Sequence, residues 1–286
     1  MKKIITLLLA SSIALSTYAQ FTDDFESYNL DDYLAQTSPI WSTWSGAGEG
    51  TNEDVNIFDA SLIGGNQCVF FSSSEPNGGP QDVVLPFNTV FDQGNFAFSA
   101  DFYIPAQSTG AYFNFQASTT IGETWTLNSH IEFNQINTSV RLTNSLDTTL
   151  IEIIDGFAPN TWFTLKISAD LTENNWEVFI NDISQGTFIN TNTQIASIDL
   201  FPVEGNMIYI DNVLVETPNQ LDAALTELTS PTTAEIPAEI DITGVITNLG
   251  NETITEMDIT WTQGAESYEY NLTDLNILPL STYNFT

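Results

Sequence analysis

The sequence predicts an all-β protein, a jelly-roll β-sandwich followed by a truncated immunoglobulin-like β-sandwich. Three observations predict it. Apolar side chains recur at every second residue, turn residues interrupt them at short intervals, and beyond the N-terminal segment no helical period of useful length is present.

The alternation is plain in four segments. Phe96, Phe98, Ala100, Phe102 and Ile104 alternate with Ala97, Ser99, Asp101 and Tyr103. Phe163, Leu165, Ile167 and Ala169 alternate with Thr164, Lys166 and Ser168. Ile131 and Phe133 are set among His130, Glu132 and Asn134, and Val140 and Leu142 among Ser139, Arg141 and Thr143. Successive strand side chains point to opposite faces, so each segment reads as a strand with one buried face. Pro76-Asn77-Gly78-Gly79-Pro80 reads as a loop. Thr172-Glu173-Asn174-Asn175 leads into Trp176–Ile180, and Asn181-Asp182 turns that strand into Ile183–Phe188. Many short strands with such turns imply a sandwich or jelly roll.

Three regions follow along the chain. Lys2 and Lys3 precede the apolar run Ile4 to Leu15, and Thr17 and Ala19 are small residues three and one before a cleavage point. Residues 1–19 are therefore expected to be a secretory signal removed before Gln20. The run is short for a membrane span, and no other 18-residue apolar run follows. Residues 20–217 are expected to form the jelly roll. At Thr217-Pro218-Asn219-Gln220 the pattern resets, because Pro218 cannot serve a central strand. Residues 221–286 are expected to hold strands near Ala223–Leu228, Ile240–Asn248, Thr253–Gln263 and Ser267–Leu272, with Asn248-Leu249-Gly250-Asn251 as a hairpin turn. An immunoglobulin-like sandwich needs about 100 residues, so the chain is expected to be a fragment of a longer protein.

Charge narrows the partners. The chain has 37 acids against four bases, and removal of the signal leaves Arg141 and Lys166 alone, a net charge of −35. No cationic surface is available to neutralise phosphates, which excludes nucleic acid, and anionic lipid is disfavoured for the same reason. Cys68, the single cysteine, cannot form an internal disulfide and stands in the apolar run Cys68-Val69-Phe70-Phe71, as a buried inert thiol would.

Two resemblances are carried by particular residues. Asp23-Asp24-Phe25-Glu26-Ser27-Tyr28, the segment Asp170 to Asp182, and Ile208-Tyr209-Ile210-Asp211-Asn212-Val213 together resemble the jelly-roll domains, of laminin-G/concanavalin or galactose-binding type, in surface proteins of Bacteroidetes. Leu221-Asp222-Ala223-Ala224, Ile242 to Gly250 and Ile277-Leu278-Pro279-Leu280 resemble the bacterial cell-adhesion-related immunoglobulin-like module. The first resemblance implies a structural calcium where the opening and closing strands meet, and Asp24, Glu26 and Asp211 are the candidate ligands. Calcium takes six to eight oxygens, so these three would supply part of a shell; the bland alternative is exposed edge acids. The second resemblance implies further domains and a C-terminal sorting segment for type IX export.

Catalytic sets are weak. Glu239-Ile240-Asp241-Ile242 is followed by Thr243 and Gly244 where a glucanase-like strand would need a second acid, and Glu152 and Asp155 are three apart, on opposite strand faces. His130, the only histidine, shares a polar strand face with Glu132 and Asn134 and reads as a surface residue. Aromatic side chains can stack on sugar rings in apolar, aromatic-lined sites. Trp41, Trp44, Tyr112, Trp125 and Trp162 are candidates, and Trp44 and Tyr112 are the preferred ligand-binding pair. The expected function is non-catalytic binding or adhesion, with a glycan or cell-surface partner. The alternatives are a spacer that presents a missing C-terminal domain, catalytic or thioredoxin-like, and a glycoside hydrolase or lyase.

Overall fold

The computed structural model describes residues 4–6, 19–46, 52–120, 122, 127–144, 146–217, 223–229, 233–235, 241–250, 253–263, 266–279 and 281–286. Gln20–Thr217 pack as one unit; Ile4–Thr6 and the described residues from Ala223 onward belong to another.

The strands, in chain order, open with β1 (Ile4–Thr6), β2 (Ala19–Asp23), β3 (Ser42–Thr43), β4 (Ile57–Asp59), β5 (Gln67–Ser72), β6 (Val83–Phe91), β7 (Asn95–Tyr103) and β8 (Gly110–Gln116). They continue with β9 (Leu127–Asn134), β10 (Ser139–Asn144), β11 (Thr149–Ile153), β12 (Trp162–Asp170), β13 (Asn175–Ile180), β14 (Ile183–Phe188), β15 (Ile195–Leu200) and β16 (Met207–Thr217). The second unit holds β17 (Ala223–Leu228), β18 (Thr233–Glu235), β19 (Gly244–Asn248), β20 (Met257–Gln263), β21 (Glu266–Leu272) and β22 (Thr282–Phe285). The described helices are one turn at Leu34–Thr37 and a 3₁₀ turn at Ser61–Ile63.

The first unit is a two-sheet antiparallel sandwich. One sheet has seven strands in the order β11-β10-β9-β8-β15-β6-β3; the other runs β14-β13-β12-β7-β16-β5-β4, with β2 added on β16. The inner faces interdigitate as the period-two pattern requires. Phe113, Phe115, Ile131, Phe133, Val140 and Leu142 come from the first sheet, and Phe98, Phe102, Phe163, Leu165, Ile167 and Val178 from the second. Phe102 is the hub, with ring centroids 5.6 Å from Phe113, 5.3 Å from Phe133 and 6.0 Å from Phe163. Asn181 and Asp182, at φ 50° and 63°, make the β13–β14 turn, a conformation that asparagine and aspartate tolerate because their short polar side chains bond locally.

Polar residues within the sandwich are paired rather than excluded. Asn190 donates to Asn128 Oδ1 at 2.9 Å and Ser129 Oγ at 2.7 Å, and Asn128 donates to the Gln194 carbonyl at 2.9 Å. This knot ties β9 to the segment before β15, and its bonds offset the cost of burying the amides.

Among its described residues the second unit holds strands: β17, β19 and β22 form one sheet, β20 and β21 another, and β1 pairs with β18. Asn251 of the hairpin expected at 248–251 lies outside the described residues; among the described residues β19 pairs with β17 and β22 and not with β20. Asn248 is fully buried and donates to the Ile277 carbonyl at 2.8 Å, while Ile254 bridges to Ile277. The chain at Asn248 is therefore tied to a distant segment by a long-range pairing. β19 and β20 also begin later than the sequence suggests, at Gly244 and Met257.

Candidate functional site

Strands β8 to β11 lie side by side, and their register carries one polar row across the outer face of the seven-stranded sheet. Tyr112 of β8 stands opposite Glu132 of β9, which stands opposite Arg141 of β10, which stands opposite Glu152 of β11. These four point outward because their neighbours Phe113, Phe133, Val140, Leu142 and Ile153 point into the core. They line a cleft of about 450 Å³, with Glu204 and Asn206 on its rim; this lies within the usual range for ligand pockets.

The rim is fastened to β8. Asn206 Nδ2 donates to Thr109 Oγ1 at 3.2 Å, and Thr109 Oγ1 donates to the Glu204 carbonyl at 3.1 Å. Gly205 has φ +78°, and a Cβ there would lie 2.6 Å from the Thr109 methyl. Only glycine lets the rim close this tightly over Thr109.

At the cleft wall and in the row beside it the titratable groups are held in fixed states. The Tyr112 hydroxyl lies 2.6 Å from His130 Nδ1. Burial, reinforced by the negative charge of Asp199, pushes the Tyr112 hydroxyl far above its ordinary value, so it keeps its proton. Burial pulls His130 down against the opposing pull of Asp147, whose Oδ1 lies 3.7 Å from Nε2. The hydrogen-bond network therefore assigns a neutral imidazole whose Nδ1 accepts from Tyr112 and whose Nε2 carries the proton. His130, expected at the surface, is mostly enclosed, its side chain 14% exposed; the period fixes its face but not what packs over it. Arg141 is held by Glu132, its Nε at 2.9 Å and its Nη2 on the same carboxylate oxygen, and that bond raises the guanidinium further.

A second row lies beside the first. Asn114 pairs with His130 on one side and Asp199 on the other. Its Nδ2 donates to Asp199 Oδ2 at 2.8 Å, and Gln116 Nε2 donates to Asn114 Oδ1. Asp199 also meets the Asp82 carboxyl in hydrogen-bonding contact. Burial and the neighbouring Asp199 charge push Asp82 up to about 9, and burial raises Asp199 as well. One proton is therefore retained by this pair at neutral pH.

The residues singled out from the sequence fall in three places. Tyr112 lies in the cleft. Trp44, half-buried, follows β3, its amide donating to the Asp82 carbonyl at 3.0 Å; the order β8-β15-β6-β3 sets it three strands from Tyr112, on the order of 14 Å. The two do not share the cleft. Trp41 belongs to the core, 3% exposed, with Nε1 donating to Asp23 Oδ2 at 2.9 Å. Trp162 donates to the Ile63 carbonyl at 3.1 Å on the other sheet, and Trp125 lies outside the described residues. Asp24 and Glu26 are exposed, while Asp211 is buried. Burial raises Asp211 to about 6, with smaller contributions from Asp101, Glu26 and Asp24. Asp24 Oδ1 accepts from the Glu26 amide at 3.2 Å, Glu26 Oε1 from the Gln67 amide at 2.7 Å and Asp211 Oδ1 from the Asn212 amide at 2.6 Å. Among the described residues these three do not converge as a metal-ligating group. Cys68 is fully buried and its thiol is pushed up to about 12, chiefly by burial. Arg141, Asp82 and Asp199 are not among the residues singled out from the sequence, and Glu152 is weighed there only as half of a catalytic pair. The outward positions of β10 could have suggested Arg141; no local signal marks the others.

No family model matches this chain, and no curated protein matches it. Solved structures do. A carbohydrate-binding module CBM66 from Bacillus subtilis is 12% identical, with 63% of this chain and 99% of that chain covered at a TM-score of 0.40. A Bacillus subtilis protein of unknown function with a galectin-like fold is 10% identical, covering 66% and 98% at 0.43. The globular domain of T. cruzi calreticulin is 8% identical, covering 68% and 87% at 0.48. These are likenesses of chain path, and what each neighbour binds is a property of that neighbour.

Proposed function

We propose that the sandwich is a non-catalytic glycan-binding module, exported with the chain, that takes a neutral sugar in the Tyr112–Glu132–Arg141–Glu152 cleft. The observation that carries this reading is the register itself. It sets one aromatic ring beside a row of acceptors and donors along an open face, the mixed lining that a sugar with one apolar side and many hydroxyls requires. Glu132, Glu152 and Glu204 outnumber Arg141 in the cleft, so anionic polysaccharides are repelled and neutral ones are favoured.

A lyase is the second reading, because Tyr112 and His130 form a close proton-transfer pair. It is disfavoured by Arg141. Elimination beside a uronate carboxylate needs a cation free to neutralise that carboxylate, and Arg141 is bound to Glu132. Hydrolysis is disfavoured too. A glycosidase needs two free carboxyls flanking the scissile bond, and in the cleft Glu132 is bound to Arg141.

The test is a screen of neutral, amino-sugar and uronate polysaccharides against the full chain. Neutral glycans are expected to bind, and Tyr112→Ala is expected to weaken binding at least about tenfold, or ~1.4 kcal/mol. Release of unsaturated or reducing ends would replace the binding reading with the catalytic one.

A further inference from the structure

Arg141 stands between two acids in the cleft. The register sets it opposite Glu132 of β9 on one side and Glu152 of β11 on the other, and such cross-strand pairs have Cβ atoms about 4.5–5.5 Å apart. Nε and Nη2 of Arg141 both donate to one oxygen, Glu132 Oε2. A guanidinium is a rigid planar fork with donors on more than one edge, so its Nη1 end stays open although its charge is spent on Glu132. Among the described residues neither Glu132 Oε1 nor the Glu152 carboxylate accepts a hydrogen bond. Glu152 is exposed, and the side chains of Arg141 and Glu132 are 42% and 37% exposed, so a ligand in the cleft can reach all three.

We infer that this acceptor–donor–acceptor row reads a vicinal diol, which narrows the ligand to neutral glycans whose residues carry two adjacent free hydroxyls; the inference rests on the glycan-binding reading of the same cleft. A hydroxyl donates and accepts at once. One hydroxyl gives its proton to Glu132 Oε1 and accepts from the open end of Arg141. Its neighbour accepts from the same fork and gives its proton to Glu152. Both bonds to carboxylate are charge-assisted, and no polar group of the row is left idle. An N-acetyl carbonyl or a uronate carboxylate in the same place only accepts, so it sets acceptor against acceptor at Glu132 or Glu152, which is repulsive. A lone hydroxyl fills half of the row. Arg141 and Glu132 are thus the specificity-determining pair, and Tyr112, next in the row beyond Glu132, supplies the ring.

The full chain is titrated with linear neutral glucans, galactans, mannans and xylans of defined linkage. Residues in 1,4- and 1,6-linked chains keep adjacent free hydroxyls; internal residues of 1,3-linked chains do not. The 1,4- or 1,6-linked chain is expected to bind at least about tenfold tighter than the 1,3-linked chain of the same sugar, because a site built to bond a hydroxyl rejects ligands that lack it. Arg141→Lys keeps the positive charge and loses the fork, and Glu132→Gln loses the charged acceptor. Each is expected to cut that preference to less than about twofold while the thermal midpoint holds, a change that a merely structural role would not produce. Equal or tighter binding of 1,3-linked chains overturns the diol inference and leaves glycan binding standing. A preference that survives both substitutions also overturns it, since the discrimination then lies elsewhere. Binding of none of these chains overturns the glycan-binding reading and this inference with it.

Discussion

The outer face of the eight-stranded sheet carries a row of rings where the outer face of the seven-stranded sheet carries a row of polar groups. Tyr209 of β16 stands opposite Phe70 of β5 and Tyr103 of β7, and Tyr103 stands opposite Trp162 of β12. Ring centroids step from Phe70 to Tyr209 in 4.5 Å, from Tyr209 to Tyr103 in 5.7 Å and from Tyr103 to Trp162 in 5.5 Å. The segment that follows β4 packs against this row: Trp162 donates to the Ile63 carbonyl, and Gly65 would bring a Cβ to 2.9 Å from the Trp162 ring. Across the sandwich, Tyr112, Glu132, Arg141 and Glu152 occupy the corresponding row and line an open cleft. Both rows come from the same alternation of side chains. What differs is what they offer: the aromatic row, with Tyr103 buried and Phe70, Tyr209 and Trp162 half-buried, is spent on ring-to-ring contacts, whereas the polar row leaves hydrogen-bonding groups for a ligand.

Substitutions can break that contrast in order of size. Phe102 belongs to neither outer row and supports both sheets. Phe102→Ala is expected to cost about 3–5 kcal/mol of unfolding free energy, measured by urea denaturation; a cost below about 1 kcal/mol would mean that the two sheets do not share one core. Tyr209→Ala, at the centre of the aromatic row, is expected to cost about 1–3 kcal/mol through the loss of its ring contacts. Tyr112→Phe keeps the ring and removes the bond to His130, so a smaller loss of about 0.5–1.5 kcal/mol is expected. Equal costs at Tyr209 and Tyr112 would erase the distinction between a row spent on ring contacts and a binding row.

Acidity sharpens the same contrast. Asp82 is raised to about 9 and Asp211 to about 6, in both cases chiefly by burial. The folded chain therefore keeps protons that the unfolded chain releases above about pH 4. Stability from these groups is fully present below that value and is lost as pH rises, up to about 6 for Asp211 and about 9 for Asp82. His130 acts in the opposite sense: its folded value is lowered, so its contribution is present above about 6.5 and lost as pH falls through the folded value. The thermal midpoint is expected to fall between pH 6.5 and 9, a window in which His130 is neutral and Asp211 already ionised. Asp82→Asn should flatten that fall. A midpoint that climbs across the window in the wild-type chain would refute the assignment.

Strand existence was legible because alternation is a local property. β7, β10, β12 and β14 lie where turn residues and period-two runs put them. The outward set of β9, His130 and Glu132, was equally legible. Cross-strand register was not, since it depends on which residues of distant strands pair. Tyr112, Glu132, Arg141 and Glu152 are spread over 41 positions and become a row only through three ladders. Asp199 was hidden for another reason. All six residues of Ile195–Leu200 are buried, so burial in this strand does not separate the core face from the outer face. The pairing of β19 with β22 was not legible either, because a turn motif at Asn248 cannot report which distant strand pairs with the one before it.

The central claim is that a sugar occupies the polar row and not the aromatic one. Its most direct test is the binding isotherm of one neutral oligosaccharide, taken from the screen, with wild-type chain, Tyr112→Ala and Tyr209→Ala at equal folded concentration. The expected result is a loss of at least about tenfold for Tyr112→Ala and wild-type affinity for Tyr209→Ala. Loss of affinity in Tyr209→Ala with wild-type binding in Tyr112→Ala would contradict it and move the site to the opposite face of the sandwich.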